Sequence, residues 1–274
     1  MGSRRPKRAR RIRPWKELET EMEAKLKVAE EISCDAWQGG LRHKFKLSGC
    51  VAQIVEPPEP LEEKLWFWLP EWPTAFPERN GVRELLQMGY YMVHIDVFGK
   101  CGNPEAVEIM KSMYDYVRTL GFASKAALIG MSLGGLYSFR YAAKYPETVA
   151  CIYADAPVAS LSYRAESGRA DLVEFCRAYG LEGNPAGLAN HPLSPVNNYM
   201  PMVKAGIPLL MIVGLDDVTV RAETNGLLLA ERWQAAGGEA EVVKRAFWGH
   251  HPHGLENPAK IVRFILRNTL NKAW

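Results

Sequence analysis

Short apolar runs alternate with longer amphipathic segments along most of the chain. Six runs are predicted strands, at 64–70, 90–97, 125–130, 149–157, 207–214 and 239–247. Segments with helical periodicity separate or follow them, at 81–90, 103–122, 133–147, 224–238 and 257–271. Parallel neighbours in a sheet need a helical crossover between them, so this alternation predicts an α/β fold. We expect a mainly parallel central sheet with helices on both faces.

Three stretches depart from this alternation. The runs LRHKFKLSG (41–49) and CVAQIVEP (50–57) predict two strands joined by a tight turn at Ser48-Gly49, which indicates an antiparallel edge. Residues 14–33 have the composition of a surface helix. Residues 158–206 contain a helix around 169–180 and a segment rich in Gly, Pro and Asn. We expect them to form a small lid over the carboxyl ends of the strands, where open α/β sheets bind ligands.

The chain has 274 residues and is 47% hydrophobic, which is enough for one large domain or two small ones. Residues 1–14 carry seven Lys and Arg residues and no acid, and removing these charges from a total of +3 leaves −4. We therefore expect a basic, disordered, solvated tail at 1–14 and a mildly acidic domain at 15–274. The acidic body argues against a nucleic-acid partner, because only the tail has the charge to bind one.

Cysteine usage and hydropathy bear on the compartment. The five cysteines are scattered, odd in number and never spaced C-x-x-C, which favours free thiols in a reducing compartment. No stretch reaches the roughly 18 apolar residues of a membrane span. A cytoplasmic location and no membrane partner are the expectations, and a homo-oligomer stays open.

The segment ALIGMSLGGL (126–135) contains the pattern G-x-S-x-G, formed by Gly130, Ser132 and Gly134. It lies between a predicted strand and a predicted helix, which is the context of a nucleophile elbow. The turn is sharp enough for bulky residues two positions either side of the serine to collide. The other reading is a helix cap with glycines that serve close helix–strand packing.

A serine hydroxyl becomes a nucleophile when a base takes its proton and a carboxylate orients that base. The strand at 207–214 is followed by Asp216 and Asp217, and the last strand is followed by His250, His251 and His253. The order serine, acid, histidine fits the strand positions. Three near-adjacent histidines also suggest a metal site, but no matching cysteine or carboxylate cluster accompanies them, so we expect no metal.

These segments together resemble the α/β-hydrolase superfamily over roughly residues 40–274. IPLLMIVGLDDVTVRAETN is similar to a family segment in which a strand ends in G-x-x-D with an asparagine eight residues later. That resemblance selects Asp217 as the acid, with Asn225 in the matching position, and leaves Asp155 as a second candidate acid. FWGHHPHGLENPAKIVRFI resembles the closing segment and selects His250 as the base, with His251 and His253 still open.

Further segments, GNPEAVEIM, GMSLGGLY, CIYADAPV and GHHPHGL, resemble a bacterial, esterase-like group of these hydrolases. The resemblance implies an oxyanion hole built from two backbone N–H groups. One is expected at Leu133, directly after the serine, and the other near Trp68 or at Leu69. The chain departs here from the family's common His-Gly-Gly loop, and Pro70 and Pro73 have no N–H to offer.

The sequence therefore predicts a serine hydrolase that cleaves a small-molecule carboxylic ester without a cofactor. Ser132 is the expected nucleophile, His250 the base and Asp217 the orienting acid. Aromatic and arginine residues in 158–206 suggest an acylated sugar or an aromatic ester. Two alternatives stay open: a serine peptidase of the prolyl-oligopeptidase kind, and a non-catalytic binding protein on the same fold.

Overall fold

The computed structural model describes residues 31–166 and 172–270. Within these ranges, nine strands form one sheet in the order β1-β2-β3-β5-β4-β6-β7-β8-β9. The strands are β1 (Glu31–Trp37), β2 (Gly40–Leu47), β3 (Cys50–Glu56), β4 (Trp66–Trp68), β5 (Tyr91–Ile95), β6 (Ala126–Met131), β7 (Val149–Asp155), β8 (Leu209–Gly214) and β9 (Ala240–Arg245). Strands β4 to β9 pair in parallel, whereas β1, β2 and β3 run antiparallel to their neighbours. The predicted α/β class and mainly parallel sheet are confirmed.

Eight helices accompany the sheet in the described residues. They are α1 (Val82–Gln87), α2 (Pro104–Thr119), α3 (Leu133–Lys144), α4 (Tyr163–Glu166), α5 (Leu172–Ala178), α6 (Met200–Lys204), α7 (Gly226–Ala235) and α8 (Ala259–Thr269). Buried residues of α1 and α8 share one apolar cluster, and those of α2, α3 and α7 share another. The sheet separates the two clusters, so helices cover both of its faces, as the alternation predicts.

Local sequence signals account for the element ends. Asn103 accepts a hydrogen bond on its side chain from the N–H of Ala106 at 2.9 Å, and Pro104 occupies the first helical position of α2. The hairpin of β2 and β3 turns at Ser48-Gly49, with Leu47 paired to Cys50. Both residues of this turn have positive φ, which suits the right-handed twist of a two-residue hairpin.

The prediction at the amino-terminal end is wrong where it can be checked. Residues 31–33 belong to β1, which pairs with β2, and not to the predicted helix at 14–33. The composition of this stretch favours a helix, but pairing with the otherwise unpaired edge of β2 stabilises a strand instead. The rest of that helix and the basic tail at 1–14 lie outside the described residues.

Candidate active site

Ser132 lies at the junction of β6 and α3 with φ 49° and ψ −119°. A positive φ is rare outside glycine and is held in place by its surroundings. Here the Ser132 N–H donates to the carbonyl of Asp155 at 2.9 Å, and its carbonyl accepts from the N–H of Val158 at 2.9 Å. The backbone is therefore fixed at both ends, and the strained turn presents the hydroxyl at the carboxyl end of the sheet.

The two glycines of the elbow have different reasons to be glycine. A Cβ on Gly130 would lie 2.8 Å from the carbonyl oxygen of Gly134 and 2.9 Å from the Cα of Gly135, which no packed structure allows. A Cβ on Gly134 would lie 3.3 Å from the Cβ of Glu71, a tight but less severe contact. The steric argument made from sequence holds fully at Gly130, whereas Gly134 leaves room for a neighbouring loop.

The structure brings Ser132, His250 and Asp217 together, although 118 residues separate the first two. His250 Nδ1 lies 2.6 Å from Asp217 Oδ2, and His250 Nε2 lies 2.9 Å from Ser132 Oγ. A carboxylate only accepts, so the Nδ1–H donates to Asp217. The unprotonated Nε2 is then the acceptor for the serine hydroxyl, which is the arrangement of a general base beside a nucleophile.

Asp217 is held in position by the turn that follows β8. Its Oδ1 accepts from the N–H of Thr219 at 2.8 Å and from the N–H of Val220 at 2.9 Å, and the residue is only 5% exposed. Asp216 is exposed and has no such contacts among the described residues. Both oxygens of Asp217 are therefore satisfied, and the carboxylate is oriented before any substrate arrives.

Asp155 and His253 form a second pair beside the first. His253 Nδ1 donates to Asp155 Oδ1 at 2.6 Å, and Asp155 Oδ2 accepts from the N–H of Gly254 at 2.9 Å. Both side chains are buried. Sequence reasoning kept Asp155 as an alternative acid and His253 as an alternative base, but did not foresee that they pair with each other. A carboxylate at the end of β7, adjacent to the histidine loop, is the signal that could have suggested it.

The third histidine, His251, is exposed and completes a cluster of three rings. The ring centroids of His250, His251 and His253 are 4.8 to 4.9 Å apart, each pair edge to face. The ring of Phe76 stacks on His251 at 5.9 Å. Partial burial lowers the pKa of His251, and the neighbouring His253 and His250 lower it further. His251 is therefore predominantly neutral at pH 7.

The two backbone N–H groups expected for the oxyanion hole differ in whether they already have a hydrogen-bond acceptor. The N–H of Leu133, at the amino end of α3, has no acceptor within residues 31–166 and 172–270. The N–H of Leu69 donates to the carbonyl of Val93 at 3.0 Å. That bond extends the pairing of β4 with β5, so the N–H of Leu69 is not available to an oxyanion. The expectation for Leu69 is corrected on this ground.

Trp72 and Glu71, which sequence reasoning did not single out for chemistry, lie in the loop after β4. The N–H of Trp72 donates to Glu71 Oε1 at 3.1 Å. Glu71 is 4% exposed, and its Oε2 has no hydrogen-bond partner among the described residues. Burial raises the pKa of Glu71 to about 7, helped by the charge of Asp96. A carboxyl that titrates near neutrality therefore caps a backbone N–H beside the serine.

A cavity of about 500 Å³ opens over these groups. Its lining brings together the elbow, the histidine loop, the loop after β4 and the start of 158–206: Trp72, Ala75, Phe76, Phe98, Ser132, Leu133, Tyr163, Arg164, Thr219, Val220, His250, His251 and His253. Most of these side chains are apolar or aromatic, and the polar ones include Ser132 and the three histidines. Such a cavity suits a small organic molecule held beside the Ser132 hydroxyl.

Asn225 anchors the beginning of 158–206 to the body of the fold. It is fully buried, and its Oδ1 accepts from the N–H groups of Ala159 at 3.0 Å and Ser160 at 2.9 Å. The described part of 158–206 contains α4, α5 and α6, and α4 supplies Tyr163 and Arg164 to the cavity. The segment thus contributes one wall of the cavity, and the helix expected around 169–180 is present as α5.

Comparison with known proteins supplies the family. The family model described as alpha/beta hydrolase fold matches residues 74–242. The chain belongs to the α/β-hydrolase family. The matched range includes the elbow, Asp217 and strands β5 to β8, and the resemblance to this superfamily stated from the sequence is confirmed. Within the described residues, no helix is long and apolar enough to cross a membrane.

Curated proteins that match this α/β-hydrolase by sequence are much longer than it. Acylamino-acid-releasing enzyme 1 from Oryza sativa subsp. japonica is 28% identical over 173 residues, which are 58% of this chain and 21% of that protein. The chain thus spans about a fifth of the length of the curated relatives it matches.

Two solved structures share the fold at low identity. An esterase/lipase from an uncultured bacterium has a TM-score of 0.59 and 20% identity, with 94% of each chain covered. Pyrococcus horikoshii acylaminoacyl peptidase has a TM-score of 0.63 and 15% identity, with 92% of this chain and 44% of that chain covered. The fold therefore occurs both in whole esterases and as part of larger peptidases.

Proposed function

We propose that the protein is a serine hydrolase that cleaves a carboxylic ester through an acyl-enzyme intermediate. The observation that carries the proposal is the continuous hydrogen-bonded chain from Ser132 Oγ through His250 to Asp217, with bonds of 2.9 and 2.6 Å. It opens into a cavity of about 500 Å³. A protein that only binds ligands has no need of this proton path.

In the first half of the reaction, Ser132 Oγ bonds to the acyl carbon while its proton passes to His250 Nε2. The resulting imidazolium is stabilised by Asp217 and returns the proton to the alcohol oxygen as the carbon–oxygen bond breaks. In the second half, a water molecule gives its proton to the same nitrogen and attacks the acyl carbon. His250 then reprotonates Ser132 Oγ as the acid leaves. No metal or cofactor takes part in this scheme.

The oxyanion that forms in both halves needs two donors. We assign one to the N–H of Leu133 and the other to the N–H of Trp72, in place of Leu69. Trp72 lines the same cavity as Ser132, and its loop packs against Gly134 through Glu71. Its N–H is bonded to the Glu71 side chain at 3.1 Å, a contact that can be exchanged because the acceptor is a side chain and not a sheet carbonyl.

The substrate is proposed to be an acylated carbohydrate or an aromatic ester. The cavity has flat apolar walls formed by Trp72, Phe76, Phe98 and Tyr163, and Arg164 adds a cationic wall. Sugar rings and aromatic rings both pack on aromatic faces. Residues 158–206 would act as the lid that selects the acyl or the alcohol part, since their helix α4 forms part of the wall.

A second candidate function is the release of acylated amino acids by hydrolysis of an amide bond. It is favoured by the likeness to acylamino-acid-releasing enzyme 1 of Oryza sativa subsp. japonica over 58% of this chain. The same serine, histidine and aspartate would serve, with an amine in place of the alcohol as leaving group.

The test is a side-by-side assay of p-nitrophenyl acetate and butyrate, feruloyl esters and N-acetylalanine p-nitroanilide. Hydrolysis of the esters, lost in Ser132→Ala, supports the first function. A higher kcat/KM for the anilide, also lost in Ser132→Ala, would assign the second. Hydrolysis of neither, with an intact fold, would contradict both.

A further inference from the structure

The three histidines after β9 offer more nitrogen atoms than hydrolysis uses. One ring nitrogen of each of His250, His251 and His253 lies within 4.8 Å of the others. The scheme above needs only His250. His253 is buried and hydrogen-bonds to Asp155, and His251 is exposed at the cavity. Two imidazoles therefore stand beside the proposed base without a part in the chemistry.

The surroundings of these rings share two features with known metal centres. Histidine ligands almost always donate their other ring N–H to a carboxylate or a carbonyl, which orients the ring and raises its basicity. His250 donates to Asp217 and His253 donates to Asp155, both through Nδ1 at 2.6 Å. Both rings therefore keep Nε2 as the nitrogen available to a metal, and two buried carboxylates stand behind them to balance the charge of a cation.

The three ring nitrogens lie farther apart than in a zinc site, by an amount that side-chain movements can close. Zn–N bonds of about 2.1 Å place the nitrogens of a tetrahedral site about 3.4 Å apart. A set already within 4.8 Å needs a contraction of roughly 1.4 Å by this measure. His251 is the member of the set best placed to move, because its side chain is exposed. The fourth position would face the cavity, where water or Ser132 can lie.

We propose that His250, His251 and His253 bind a divalent transition metal such as Zn²⁺, and that this metal inhibits the hydrolase. The inhibition, though not the binding, rests on the proposed function. His250 Nε2 cannot both coordinate the metal and accept the proton of Ser132, since each uses the same lone pair. Metal binding and nucleophile activation therefore exclude one another at a single nitrogen.

Binding is tested without reference to activity, by calorimetric titration of the whole protein with Zn²⁺ and by the visible spectrum of the Co²⁺ form. We expect one site with a tetrahedral Co²⁺ spectrum in the wild type and in Ser132→Ala. His251→Ala should weaken the affinity more than roughly 10-fold, and Asp155→Asn by about 10- to 100-fold, the usual cost of losing an outer partner. His191→Ala, which removes a histidine outside the cluster, is the matched control and should bind like the wild type.

Inhibition is tested by labelling Ser132 with a fluorophosphonate at rising Zn²⁺ concentration, each variant compared with its own metal-free rate. Zn²⁺ should slow labelling of the wild type and His191→Ala, and should do so only at higher concentration in His251→Ala. Equal Zn²⁺ affinity in His251→Ala and wild type would overturn the site, and undiminished labelling of the Zn²⁺-loaded protein would overturn the inhibition. If Ser132 takes no label even without metal, the proposed function fails, while calorimetry still decides on the site.

Discussion

His253 donates to Asp155 at 2.6 Å, the same distance that separates His250 from Asp217. The histidines of both aspartate–histidine pairs line the cavity, and of the two His250 is the one that hydrogen-bonds to Ser132. The pairs are built alike, since Asp155 ends β7, Asp217 lies in the turn after β8, and both imidazoles come from one loop. We assign the proposed catalytic role to His250 and Asp217 because His250 hydrogen-bonds to the serine hydroxyl. The second pair, His253 and Asp155, provides an internal control for this assignment.

Asp217→Asn is expected to lower kcat by about 10³- to 10⁴-fold. An asparagine can donate to Nδ1 and so favours the tautomer that leaves Nε2 protonated and unable to accept from Ser132. Asp155→Asn makes the same chemical change at the second pair and should lower kcat by less than about 10-fold. Steady-state ester hydrolysis by the two variants, with circular dichroism to check the fold, decides between them. Equal losses would contradict the assignment of Asp217.

Glu71 is expected to impose a descending limb on the pH profile of kcat/KM. Its pKa is raised to about 7. Above that pH the ionised carboxylate holds the N–H of Trp72 more strongly and repels the developing oxyanion, so activity should fall as pH rises through 7.

Glu71→Gln should remove that limb, because the amide keeps an acceptor for Trp72 but carries no charge. Asp96→Asn is the companion variant. Asp96 helps to raise the pKa of Glu71, so its loss should move the limb to lower pH. His94, which borders the same 260 Å³ side cavity as both carboxyls, has its pKa lowered by burial and should be neutral throughout this range. A limb that persists unchanged in Glu71→Gln would assign it to another group.

The same carboxyl is expected to cost stability at neutral pH. A pKa that rises from 4.5 to about 7 on folding means that the folded protein holds the proton more tightly than the unfolded chain. The free energy of unfolding therefore falls as pH rises between these values, by at most about 3 kcal/mol. Glu71→Gln should escape this loss. Urea unfolding of both proteins at pH 5 and pH 8 should show the variant gaining on the wild type at pH 8, whereas a constant difference would be inconsistent with a buried, titrating Glu71.

Gly130→Ala is expected to destabilise the protein by about 1 to 3 kcal/mol, the usual cost of overpacking, or to prevent folding. The added methyl would lie 2.7 Å from Ser138 Oγ and 2.8 Å from the carbonyl oxygen of Gly134. Gly134→Ala is the matched control with a 3.3 Å contact and should cost less. Thermal unfolding of both variants makes the comparison. A larger loss at Gly134 would contradict the steric reading of the elbow.

The pattern of hydrophobic residues in the sequence predicts most of the fold. Strands β4 to β8 are near-continuous apolar runs because both faces of a parallel sheet are buried, and that pattern is visible without a structure. Strand β1 escapes this reasoning, since residues such as Asp35 lie on an exposed edge and pair with Arg42 of β2. Its assignment depends on a neighbouring strand with an unpaired side, which no local pattern reveals.

The candidate site likewise has a part that the sequence predicts and a part that it does not. Ser132, Asp217 and His250 follow predicted strands in a recognisable order, so their convergence can be anticipated from chain order and topology. Which N–H groups are available to an oxyanion cannot be anticipated. Leu69 is excluded only because its N–H continues the pairing of β4 with β5, and Trp72 enters only because Glu71 folds back onto it. Such distinctions depend on tertiary hydrogen bonding and have no sequence signal.

The most direct test of the account is to trap the acyl-enzyme. The protein is mixed with p-nitrophenyl butyrate, quenched in acid within milliseconds, digested and analysed by tandem mass spectrometry. The account predicts one butyryl adduct, on Ser132, that is absent from Ser132→Ala together with ester hydrolysis. A butyryl group on any other residue, or ester turnover retained by Ser132→Ala, would contradict it.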